Sequence, residues 1–140
     1  MTVAEMMLLG FAAWTVILLL LTIGVYRWRR ILTGQSQICE FRADNVEGAD
    51  WYKRAMRAHA NCIENLPIFA VIVFALHVGQ INNLMVDILA GIIVLARILQ
   101  SLVHVCFVQS NFVASLRFGF FFMQLVSFLW LIGIICLQIF

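Results

Sequence analysis

Four long apolar stretches, separated by short polar breaks, organise the chain. Met6 to Tyr26 runs without a single charged residue, and at about 1.5 Å per residue a helix of that length crosses a hydrocarbon core of about 30 Å. Further spans are predicted over residues 51–79, 84–107 and 114–140, with a polar connection over about 31–50. The breaks at Gln80 to Asn83 and Val108 to Val113 are short, which makes consecutive spans antiparallel neighbours. Asp50 is the expected N-cap of the second span. The pattern therefore predicts an all-α, single-domain, four-helix membrane bundle.

Composition strengthens this reading. Of the 140 residues 64% are hydrophobic and 11% charged, against about 45–50% and 25% in soluble domains. A soluble enzyme is excluded because a chain this short has too little interior for that apolar excess. Disorder is excluded by the 12 Phe and 4 Trp.

The net charge of +2 matters less than its placement. Arg27, Arg29, Arg30, Arg42, Lys53, Arg54 and Arg57 crowd the first connection and its flanks, while no Lys or Arg precedes them and none follows Arg117. By the positive-inside rule this connection is cytoplasmic and both termini lie on the opposite side. A nucleic-acid footprint would be a basic stripe on a soluble face, so no nucleic-acid partner is expected. The first span has Glu5 before it and arginines after it, the reverse of a cleaved signal peptide. Cys39, Cys62, Cys106 and Cys136 show neither C-x-x-C nor zinc spacing. They read as apolar filler or free thiols, and no metal site is expected.

Charges inside the spans carry the chemistry, because an ionisable group at that depth costs roughly 2.5–3.5 kcal/mol to insert and so marks a bundle-interior or functional site. On a helical wheel Arg54, Arg57, Asn61 and Glu64 share an arc of about 80°, while His59 points away. Arg97, Gln100, Ser101 and His104 form a second stripe on span three, and Arg117, Gln124 and Ser127 a third on span four. Three such faces satisfy their polar groups by turning toward one another. Glu64 and Arg97 are the expected buried pair, serving either the packing of two spans or the chemistry. Arg27, Arg54, Arg57 and Arg117 suit either headgroup contact or, with Arg97, a cationic cluster facing a small anion.

The run RAMRAHANCIENLPIF, Arg54 to Phe69, closely resembles the signature R-x-x-R-A-x-x-N-x-x-E, followed by Pro and Phe, of the MAPEG family. These are the membrane-associated proteins in eicosanoid and glutathione metabolism, and the chain resembles their microsomal glutathione S-transferase branch. Arg97 and Arg117 resemble the family's span-three and span-four arginines, so the likeness covers the whole chain. The resemblance implies a homotrimer that binds glutathione in cytoplasmic-facing clefts between subunits and meets a hydrophobic small-molecule or lipid substrate from the bilayer. It also implies roles: Arg117 holds the glutathione sulfur as thiolate, while Arg27, Arg57, Asn61 and Glu64, with Arg54 beside them, hold the peptide, Glu64 being oriented by Arg97.

Two positions depart from eicosanoid-synthesising members: Ala60 stands for an arginine and His104 for a tyrosine. They place the chain among divergent, bacterial-looking members. His104 is either a hydrogen-bond donor or proton carrier in place of that tyrosine, or a packed histidine satisfied by a backbone carbonyl. Phe118, Phe120, Phe121 and Phe122 suit an apolar substrate or simple lipid contact. The leading expectation is a glutathione transferase or peroxidase in a bacterial inner or ER-type membrane. The alternative is a non-catalytic lipid-binding or lipid-presenting relative. A proton-coupled exporter is disfavoured, since span one holds no acidic residue.

Overall fold

In the computed structural model, which describes residues 1–42 and 44–139, four helices cover most of the chain. They are α1 (Val3–Leu32), α2 (Asp50–Val78), α3 (Leu84–Cys106) and α4 (Asn111–Ile139), and all four are long and apolar enough to cross a membrane. A short 3-10 turn, Ile38–Glu40, interrupts the first connection. Ala43 of the polar connection and Phe140, the expected last residue of span four, lie outside the described residues.

Local chemistry sets the helix ends. Thr2 and Glu5 form a capping box at the start of α1, the Thr2 hydroxyl accepting from the Glu5 amide and the Glu5 carboxylate from the Thr2 amide. Asn83 caps α3 through the Val86 amide. Asp50 is not the cap expected of it. Ala49 holds that position without a side-chain bond, and Asp50 lies in the first turn, where a carboxylate still complements the helix dipole.

A π-helical stretch, Leu19–Gly24, interrupts α1. Phe11 and Leu18 face the core at heptad spacing, so an unbroken helix would bury Val25 next. Val25 instead faces outward, 54% exposed. The extra residue of the π turn has advanced the register by one, and Tyr26 turns toward α2 to stack on Tyr52 with ring centroids 4.1 Å apart.

Helix α3 is the hub, packed against α1, α2 and α4. Small buried residues, Ala90 and Ala96 on α3 and Ala55 and Ala58 on α2, permit the close backbone approach that holds helices together in lipid. Phe69 links the other helices, lying 6.0 Å from Phe11 of α1 and 6.2 Å from Phe128 of α4. At the end away from the long connection, His77 Nδ1 meets Glu5 Oε1 at 2.8 Å and ties α1 to α2. The outer faces carry Leu21, Val71, Phe74, Phe118 and Leu129, all largely exposed, as a lipid-facing surface requires.

Candidate functional site

The polar stripes of α3 and α4 face each other. Arg97, Gln100, Ser101 and His104 are buried on α3, as are Gln124 and Ser127 on α4. The Gln124 amide donates to Gln100 Oε1 at 3.1 Å, and the Gln100 amide donates to the Arg117 carbonyl at 3.1 Å. These two glutamines fix the height at which Arg117 stands against α3.

Near the long connection, a line of four side chains crosses three helices and the connection between α3 and α4. Arg117 Nη1 lies 3.0 Å from His104 Nδ1, and Arg117 Nη2 donates to Gln109 Oε1 at 2.8 Å. His104 Nε2 lies 3.3 Å from the Asn61 amide of α2. A guanidinium only donates, so His104 accepts at Nδ1 and carries its proton on Nε2. Asn61 must then offer its oxygen, and the amide orientation follows from that network. His104 is thus satisfied by two side chains, not by the backbone carbonyl that is the simplest expectation for a packed histidine. Two of the five N–H groups of Arg117 are committed here, and this half-buried guanidinium has donors left for a ligand.

The α2 stripe divides. Arg54 is half-buried and reaches the Val105 carbonyl at 3.5 Å, and Asn61 joins the line above. Arg57 and Glu64 point out of the four-helix bundle, contrary to the inward placement expected. The cause is geometric. The buried face of α2 runs through Ala58, Cys62 and Phe69, so Arg54 and Asn61 take the near edge of the polar arc and Arg57 and Glu64 the far edge.

Arg57 lines an outer concavity of about 350 Å³ with Lys53, Met56 and Ala60. Glu64 lines one of about 340 Å³ with Asn65, Phe121 and Phe128. A wholly apolar concavity of about 520 Å³, walled by Pro67, Val71, Ile132 and Cys136, follows between α2 and α4 farther from the long connection.

Glu64 and Arg97 do not pair. Among the described residues the ion pairs are Arg42–Asp44 and Glu5–His77. Arg97 is 1% exposed, its Nε and Nη2 have no hydrogen-bond partner among the described residues, and its guanidinium carbon lies 5.9 Å from the Phe11 ring centroid. It faces the α1–α3 interior while Glu64 faces out, so the helix carrying Glu64 keeps its carboxylate away.

Arg27 belongs to a separate cluster. Its Nε donates to Tyr52 Oη at 2.8 Å and its guanidinium lies 5.4 Å from the Phe41 ring centroid. Tyr26 Oη accepts from the Ala49 amide at 3.2 Å. Together these contacts fasten the long connection to α1 and α2. Outside the membrane spans, Asp44 is held below the usual carboxylate range by Arg42, which it in turn raises. All four cysteines are free, with buried Cys62 Sγ 3.5 Å from Ser101 Oγ.

Gln109 and Tyr52 are the contributors that helical wheels do not reveal. Gln109 lies in a connection, where no periodicity applies, and its one signal is a long polar side chain beside the first turns of α4. Tyr52 reads as an ordinary core aromatic.

Fold and site define a polytopic α-helical membrane protein with an arginine-centred polar cluster near one end. The model of the MAPEG family matches residues 7–137, and the chain belongs to that family. No curated protein and no solved structure gives a significant match.

Proposed function

We propose that this protein is a glutathione-dependent transferase or peroxidase acting on hydrophobic electrophiles or lipid hydroperoxides. The observation that carries the reading is Arg117, oriented by its neighbours yet with uncommitted donors. A guanidinium beside the glutathione sulfur lowers the thiol pKa from about 8.5 toward neutrality and supplies the nucleophile. The thiol proton leaves to solvent. The thiolate then bonds to an electrophilic carbon as a leaving group departs, or takes the terminal oxygen of a hydroperoxide and releases an alcohol, after which a second glutathione yields disulfide and water.

Asn61, Arg54 and Arg57 lie along α2 where an extended anionic tripeptide meets them. Glu64 and Arg57, exposed on one subunit at span depth, support assembly as a homotrimer, because lipid is a poor environment for either charge. In that assembly neighbouring subunits cover both residues and Arg27 joins the pocket edge. His104 acts here by holding Arg117. The basic connection supports a cytoplasmic-facing site with both termini on the other side.

A second reading, a non-catalytic lipid-binding protein, is favoured by the apolar concavity between α2 and α4. One titration separates the two. Detergent-purified protein is titrated with glutathione at neutral pH while thiolate absorbance is followed, with Arg117→Ala alongside. The expected result is a thiolate signal in the native protein and a fall in Arg117→Ala to about a few per cent ionised, as for a free thiol. Absence of glutathione binding at millimolar concentration removes the enzyme reading; binding without thiolate leaves a pocket without the chemistry.

A further inference from the structure

We infer that Gln109, in the connection between α3 and α4, is a positioning residue for Arg117; the inference rests on the reading of Arg117 as the sulfur-facing arginine. Three contacts from separate places hold that residue. Gln100 fixes its backbone carbonyl at 3.1 Å, His104 takes Nη1 at 3.0 Å, and Gln109 takes Nη2 at 2.8 Å. A guanidinium is a rigid planar fork, so anchoring both terminal nitrogens on different elements sets the plane of the group as well as its position. Nε–H and one N–H on each terminal nitrogen then remain to meet an anion.

The connection is itself braced. Ser110 Oγ accepts from the Val113 amide at 3.2 Å and the Ser110 carbonyl from the Ala114 amide at 2.8 Å, the geometry of an N-cap on α4. Gln109, immediately before that cap, therefore has a defined backbone although the residue itself is exposed. Without it, Arg117 keeps one anchor, His104, and the guanidinium swings about that single hydrogen bond. The thiolate would then meet a charge of the same sign and distance but with scattered orientation, so ionisation of the bound thiol falls without loss of the peptide contacts along α2.

The test is a double-mutant cycle read by bound thiolate, together with a measurement that needs no glutathione. At saturating glutathione, Gln109→Leu is expected to lower the thiolate-to-thiol ratio about threefold to tenfold, the span of one ordinary hydrogen bond. In an Arg117→Ala background the same substitution is expected to change nothing, because Gln109 acts through that arginine. Separately, phenylglyoxal labelling of Arg117, followed by peptide mass spectrometry on the glutathione-free protein, is expected to be several-fold faster in Gln109→Leu. It should stay slow in Gln109→Glu, which keeps an acceptor oxygen. Unchanged labelling in Gln109→Leu, or an equal thiolate loss in both backgrounds, overturns the inference. Native protein that forms no thiolate overturns the thiolate chemistry of the proposed function instead, and the labelling rates still decide whether Gln109 holds Arg117.

Discussion

Among the described residues Arg97 is the one arginine, lysine or carboxylate that the bundle buries, and that burial carries an electrostatic cost. Its side chain is permanently charged and leaves Nε and Nη2 without a partner among those residues, and a guanidinium cannot escape this by losing its proton. The contact with the Phe11 ring offsets part of that cost. Replacement by an apolar side chain of similar length removes the desolvated charge and keeps the volume, so Arg97→Met is expected to stabilise the protein by about 1–4 kcal/mol. Arg97→Ala, by contrast, opens a cavity and forfeits the gain. Thermal unfolding of both variants in detergent checks this, and a lowered transition in Arg97→Met would show that a partner meets the guanidinium. The helical wheel put Arg97 on the inner face correctly. What it lacked was the rotation of α2, which turns Glu64 outward and leaves the expected pair unmade.

At the scale of elements, the π turn in α1 decides where the first helix delivers its arginines. One additional residue between Leu18 and Tyr26 lets both ends keep their inward faces although their spacing is eight, not seven. Deleting Leu21, an outward residue of that turn that is 70% exposed, restores heptad spacing and leaves Tyr26 against Tyr52. The deletion is therefore expected to leave the unfolding transition in detergent unchanged or raised. Deleting Val71, equally outward on regular α2, rotates Phe69 about 100° relative to Ile72 and Leu76 and is expected to abolish folding. Uniform loss in both variants would remove the register argument. Hydropathy shows one apolar run here, because the turn carries no charge and the Thr22 hydroxyl is satisfied within the helix, donating to the Leu18 carbonyl at 2.6 Å.

For the whole molecule, Glu64 and Arg57 are the informative residues, since a single chain leaves both on its surface. The homotrimer reading predicts a detergent complex with the mass of three chains, measured by native mass spectrometry, and a shift toward single chains in Arg57→Glu, where like charges accumulate around Glu64. It also predicts sidedness. Cys39, exposed in the basic connection, is expected to react with a membrane-impermeant maleimide in inside-out vesicles and not in intact cells. The reverse labelling would invert the topology; a native mass of one chain, unaffected by Arg57→Glu, would remove the trimer.

By itself the sequence determined the solvent, the four spans, the three polar faces and the family, because hydropathy, helical period and a local motif are properties of contiguous residues. Asn61, His104 and Arg117 were each placed on an inward face by period alone. Tertiary structure decided which of those faces meet. The distance between two side chains on different helices depends on the rotation and height of each helix, and those are set by small buried residues, by the Gln100–Gln124 bond and by the π turn rather than by any local pattern. That is why the Asn61–His104–Arg117–Gln109 line emerged only in three dimensions, and why Glu64 and Arg97, apt partners by charge and depth, stand apart.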